Sequence, residues 1–122
     1  MGARGPGRRC SQLPHADAIT RADANFDETY ARVAEHGGPD VGGAHPASRS
    51  PFGVDDLVGN VWEWTTSSLA ANEGIIRGGA YYYDEVTCRS VNRYPWSPDT
   101  RDSTLGLRVC TSVPPTRPTG GS

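Results

Sequence analysis

The chain has 122 residues, enough for one domain that buries roughly two-thirds of its unfolded surface. Only 35% of the residues are hydrophobic, and 15 glycines with 10 prolines make up about a fifth of the chain, so loops should outweigh regular helices and strands. A net charge of −2, carried with no lysine at all, gives no electrostatic case for nucleic acid or an anionic membrane surface, and no apolar run is long enough for a membrane span or a secretory h-region. The expected compartment is cytoplasmic.

Taken in chain order, residues 1–23 carry little periodicity. Residues 29–36 are the best helix candidate, with Tyr30, Val33 and Ala34 at helical spacing and a stop at Gly37-Gly38-Pro39. Gly59-Asn60 is a two-residue turn signal, and residues 61–65 then alternate, with Trp62 and Trp64 on one face and Val61, Glu63 and Thr65 on the other. That pattern predicts a short strand with a tryptophan face. Ile75-Ile76-Arg77 runs as a strand into Gly78-Gly79, where two residues without Cβ permit a tight bend, and residues 80–83 read as the strand resuming. Leu105, Leu107 and Val109 alternate with Gly106, Arg108 and Cys110, which predicts a final half-buried strand. The last twelve residues, T-S-V-P-P-T-R-P-T-G-G-S, have the composition of a linker or disordered tail. Cys10, Cys88 and Cys110 show no C-x-x-C spacing and are odd in number, against both a closed disulfide framework and a zinc site.

Four elements recur in a familiar order: Gly59-Asn60-Val61-Trp62-Glu63-Trp64-Thr65, then Arg77-Gly78-Gly79, then C-R-S-x-x-R from Cys88 to Arg93, then Gly106-Leu107-Arg108. Together they resemble the C-terminal half of formylglycine-generating-enzyme, or sulfatase-modifying-factor, domains. The resemblance implies an irregular, loop-rich α+β fold related to C-type lectins. It also implies that the N-terminal half of the domain is missing, with Gly2-Ala3-Arg4-Gly5 as the tail of an upstream helix and Ala24-Asn25-Phe26 as the family's A-N-[FY] segment. On this reading residues 1–23 are a remnant of the upstream half-domain, 24–110 the family domain and 111–122 a tail. A partial domain should leave apolar surface exposed near Trp62, Trp64, Leu107 and Val109.

The segment from Asp56 to Glu63 has the form of a calcium loop, because Ca²⁺ takes six to eight oxygens and a glycine turn between two carboxylates supplies several from one short stretch. The family resemblance places the ligands at the side chains of Asp56 and Glu63 and the carbonyls of Gly59 and Val61. It places a second site at Asn25 and the carbonyl of Phe26, with an acidic partner somewhere in residues 27–40. The competing reading pairs Glu63 with an arginine, Arg77 or Arg108.

The activity implied by the resemblance is oxygen-dependent oxidation of a sulfatase cysteine to formylglycine, performed in the family by a cysteine pair that holds copper after the R-G-G element. Here Ala80 stands at the family's serine and Tyr83 at its first cysteine. Cys88 falls at the second by ungapped count, although its context C-R-S-V-N-R fits a later structural position. Either way one cysteine is available, so copper is not expected and the oxidase activity is expected to be absent. Iron-dependent sulfoxide synthases share G-N-V-W-E-W, but their metal histidines lie in an upstream helical domain; His15, His36 and His45 show no i, i+3 or i+4 pairing. The alternative class is a non-catalytic, lectin-like module that binds a ligand, protein or peptide. Its surface would use Tyr81, Tyr82, Tyr83, Tyr94 and Trp96, interleaved with Asp84, Asn92 and Asp99, because aromatics give contact area at low entropy cost.

Overall fold

The computed structural model describes residues 11–31, 33, 37–68 and 70–113. Four short strands, β1 (Trp62–Trp64), β2 (Gly74–Arg77), β3 (Tyr94–Trp96) and β4 (Leu105–Gly106), form one mixed sheet in the order β3-β2-β1-β4. β1 and β2 pair antiparallel with Glu63 opposite Arg77, β2 and β3 pair antiparallel, and β4 lies parallel to β1. A 3-10 turn at Pro46–Ser48 is the one helical element among the described residues. The loop-rich character read from composition therefore holds.

The turn that enters β1 sets the rest. Gly59 and Asn60 both have φ of 67°, as a two-residue turn of this hand requires. The turn drives Gly59 against the backbone of Asn25, and Asn60 N–H donates to the Asn25 carbonyl at 2.7 Å while Gly59 N–H donates to Gly78 O at 2.7 Å. The Asn60 side chain accepts from Asp40 N at 2.7 Å and from Asn25 Nδ2 at 3.3 Å, so one residue joins three loops. Asn25 is buried, and its amide also donates to Gly38 O at 2.8 Å.

Two apolar clusters flank this junction. Leu13, Ala24, Phe26, Val58 and Cys88 make the first, under the loops; Trp62, Ile76 and Ala80 make the second, with Trp64, Tyr83, Trp96 and Leu105 packed on it. Residues 11–23 belong to this body, since Leu13 is buried in the first cluster and Ser90 N–H donates to Gln12 O at 2.8 Å. Arg108, beyond β4, donates to both oxygens of Glu63 on β1 at 2.8 Å each, and to the carbonyls of Asp55 and Asp56 at 3.0 and 3.2 Å. That fork fastens the end of the sheet to the loop that begins it.

Three expectations about elements need correction. The 29–36 helix is replaced, in its described part, by successive three-residue turns: Thr29 N–H to Phe26 O, Ala31 to Glu28 and Val33 to Tyr30. The Thr29 hydroxyl bonds locally to Ala24 O and Phe26 N, and Ala31 sits at φ 54°, which an α-helix does not permit. Residues 32 and 34–36 lie outside the described residues. Residues 80–83 turn instead of resuming a strand, because Tyr81 N–H is taken by Asn60 O and Tyr83 N–H closes on Ala80 O. The final strand stops at Gly106, leaving Leu107 and Val109 exposed while Arg108 turns to Glu63. β3 carries no alternation signal, being Tyr-Pro-Trp; Pro95 is tolerated because β3 is an edge strand. Of the proposed tail, residues 111–113 are exposed and 114–122 lie outside the described residues, as do 1–10 with Gly2 to Gly5.

Gly59→Ala tests the junction. The added methyl would drive into the Asn25 carbonyl at a φ that L side chains rarely adopt, so it should cost about 2–4 kcal/mol in urea denaturation, whereas Gly38→Ala, with open space at its Cβ, should cost under about 1 kcal/mol.

Candidate functional site

The loop from Asp56 to Glu63 presents its oxygens unevenly. Asp56, itself at φ 57°, turns its carboxylate to the 42–43 turn, where Gly43 N–H donates to Oδ2 at 2.6 Å. Glu63 is held by Arg108, and the hydrogen bonds to Glu63 are the main reason the Arg108 guanidinium binds its proton more tightly than usual. The pairing of Glu63 with Arg108, one of the two readings of the sequence, is thus present.

It leaves room for a cation in charge terms. Two carboxylates and one guanidinium leave one negative charge on the loop, the Glu63 oxygens have further lone pairs, and the carbonyls of Gly59 and Val61 accept no hydrogen bond among the described residues. Asp56, Gly59, Val61 and Glu63 offer oxygens of the kind an oxygen-seeking ion takes, with the Asp56 carboxylate turned to Gly43 and that of Glu63 to Arg108. Asn25 and Phe26 are less open. The Asn25 amide is engaged as described, the Phe26 carbonyl accepts from Thr29 N–H at 3.0 Å, and Asp40, the nearby acid, accepts from the Tyr30 hydroxyl at 2.6 Å and lies 2.7 Å from His45 Nε2. Among the described residues no three His, Cys, Asp or Glu side chains gather as a metal cluster.

Cys88 is packed, not presented. Its side chain is buried in the first apolar cluster, against Gly79, where an added Cβ would lie 2.7 Å from Sγ. Burial first, then the charge of Asp84, raises its thiol from the ordinary 9.0 to about 11. Such a group is a neutral thiol at physiological pH. Cys110, the other described cysteine, is exposed.

The five aromatic residues singled out for binding divide. Tyr83 and Trp96 line one cleft of about 750 Å³ between the second apolar cluster and β3, with Trp62, Ile76 and Tyr94 among its other walls. Tyr83 stands edge-on to Trp62 with ring centroids 5.4 Å apart, and Tyr94 stands edge-on to Trp96 at 6.2 Å. Tyr82 is exposed and meets Tyr83 edge-on at 5.9 Å without lining the cleft. Tyr81 faces elsewhere, its hydroxyl donating to Ser103 Oγ at 3.2 Å. Sequence reasoning missed Asn72 and Glu73, which reach the cleft from the β1–β2 connection, and expected exposed apolar surface near Trp62, which is buried. No periodicity marks a loop pair, and only the β1–β2 pairing brings it there.

Among known proteins, the Sulfatase-modifying factor enzyme 1-like domain matches residues 2–113. Hercynine oxygenase of Mycolicibacterium smegmatis is 36% identical over 66 residues, covering 51% of this chain and 15% of that protein. Hercynine oxygenase of Mycobacterium tuberculosis is 33% identical over 73 residues, covering 57% of this chain and 17% of that protein. The chain thus spans less than a fifth of the length of these curated relatives. Treponema denticola variable protein 1 superposes with a TM-score of 0.57 over 71% of this chain and 35% of its own, at 19% identity, a likeness of fold alone. A domain match of this extent, spanning the W-E-W, R-G-G and G-L-R elements of the sheet, means that the chain belongs to the sulfatase-modifying factor enzyme 1-like domain family.

Proposed function

We propose that this chain is a non-catalytic binding module of its family, with a C-type-lectin-like fold, that holds a ligand in the cleft of Trp62, Tyr83 and Trp96. The observation that carries this reading is the buried, neutral Cys88, taken with the sequence resemblance, which puts Tyr83 at the family's first catalytic cysteine. Copper held for oxygen activation needs two converging thiolates, and one buried thiol of raised pKa offers none at neutral pH. An oxidising domain completed elsewhere is the second reading, favoured by the similarity to the hercynine oxygenases. Calcium belongs to the proposal as a structural ion, held by Asp56 and Glu63 with the Gly59 and Val61 carbonyls, and at a second site by Asn25 and the Phe26 carbonyl. The module acts in the cytoplasm, where its thiols stay reduced, and its partner is a small ligand, protein or peptide.

The oxidase reading is tested by incubating the purified chain with Cu(I), oxygen, a reductant and a Cys-x-Pro-x-Arg peptide. No aldehyde should be found by mass spectrometry; aldehyde that disappears in Cys88→Ser would overturn the proposal.

Calcium should raise the melting midpoint over that in chelator, because an ion bound only by the folded form stabilises it by about 2.7 kcal/mol at a hundred times its dissociation constant. Asp56→Asn should lose most of that increment while keeping the Glu63–Arg108 pair. Equal midpoints in calcium and chelator would remove the ion from the proposal.

The thiol makes a separate prediction. Because the folded-state pKa of Cys88 is raised, its contribution is fully present below pH 9.0 and is lost as pH climbs to about 11. The loss should amount to about 2–3 kcal/mol, since each tenfold change in the ionisation equilibrium is worth about 1.4 kcal/mol, and Cys88→Ala should flatten the alkaline limb of the stability profile.

A further inference from the structure

The two edges of the sheet are guarded differently. β3 forms one, and Pro95 at its centre removes a ladder donor, a common way of closing an edge to further pairing. β4 forms the other and has no such guard: from Leu105 to Val113 the chain holds no proline, lysine, aspartate or glutamate. Its one charge, Arg108, is turned to Glu63 at 2.8 Å. Leu105, Leu107, Val109, Thr111 and Val113 alternate with Gly106, Arg108, Cys110 and Ser112, the period of a strand with one apolar face. Pairing to β1 nevertheless ends at Gly106. Residues 107–113 run on without turn or bend, and none of their backbone groups hydrogen-bonds to another described residue. Leu107, Val109 and Val113 are 74%, 83% and 75% exposed.

The chemistry of this edge selects its occupant. A strongly acidic or basic strand finds no free counter-charge along it, because Glu63 already neutralises Arg108. A strand that alternates apolar with uncharged side chains fits, and 107–113 is itself one. Antiparallel pairing of two copies about Cys110 uses the whole unpaired segment: Leu107 falls opposite Val113, Val109 opposite Thr111 and Arg108 opposite Ser112, with no like charges face to face. Leu107 also borders a hollow of about 400 Å³ with Trp64 and Leu105, so Val113 of the second copy meets an apolar wall. We infer that a second copy of this chain pairs antiparallel with residues 107–113, joining two four-stranded sheets into one about a two-fold axis. The aromatic cleft opens beside β3, at the far edge, and stays free in both copies.

The experiment uses the full chain with Cys10→Ser, so that Cys110 is the thiol under test, Cys88 being buried. Sedimentation and amide hydrogen exchange are followed over a range of concentrations. A reversible dimer is expected, with residues 107–113 gaining protection as it forms. Mild oxidation with diamide should link the dimer through Cys110, because residues opposite each other on antiparallel strands lie about 4.5–5.5 Å apart at Cα, inside the span a disulfide bridges. Cys110→Ser should dimerise equally and not link. Cys110→Lys, at an exposed position that does not threaten folding, sets two lysines opposite each other and should weaken the dimer at least about a hundredfold. Sedimentation as a monomer at every concentration would overturn the inference. So would protection of 107–113 that does not vary with concentration, which would mean that another segment of the same chain covers the edge. A dimer that survives Cys110→Lys, or in which diamide forms no link, uses another surface and overturns it too.

Discussion

The structure depends on the contact between Gly59 and the backbone of Asn25. With so few ladder hydrogen bonds, the chain must satisfy its buried backbone groups by loop-to-loop contacts, and these converge where Gly59 and Asn60 cross Asn25, Gly78 and the 37–40 segment. The left-handed turn supplies two N–H donors that point outward from it, one to each neighbouring loop, while Asn60 Oδ1 gathers the third. A regular sheet would distribute that work over many residues. Here a glycine and two asparagines carry it, which is why the strands can be as short as two to four residues.

What the sequence disclosed follows the same logic. The Gly59-Asn60 turn, the Trp62–Trp64 strand and the Ile75-Ile76-Arg77 run into two glycines were legible because each rests on a local rule: turn chemistry, alternation, or the absence of a Cβ. β3 was not, since three residues with a central proline are decided by the edge of the sheet they meet. The 29–36 segment misled for the opposite reason: its helical spacing is real, but the Thr29 hydroxyl and the Ala31 backbone answer to neighbours that spacing does not see. The cleft lay furthest from view. Glu73 and Asn72 are ordinary loop residues until the pairing of β1 with β2 brings them beside Trp96.

Cys88 shows how packing and chemistry compete for one side chain. A thiol that fills the space beside Gly79 and helps close the first apolar cluster gives up both access and the ionised form that makes sulfur a nucleophile or metal ligand. The charges of Asp84 and Asp27 push the same way as burial. Family membership and a thiol held in this way are compatible, because W-E-W, R-G-G and G-L-R act in the fold as backbone and core devices.

β1 links the two candidate sites. Alternation along the strand sends Trp62 to the cleft and Glu63 to Arg108, which also donates to the Asp55 and Asp56 carbonyls, so neighbouring residues serve opposite faces. The position of the indole in the cleft is thereby set by the loop that Arg108 fastens, and anything that stiffens that loop also fixes the cleft wall. The Glu63–Arg108 fork matters for more than its own hydrogen bonds. Without it, the short β1–β4 pairing of two residue pairs and the packing of Leu105 on the Trp62 cluster would be left to tie the end of the sheet to the strand that bears the tryptophan.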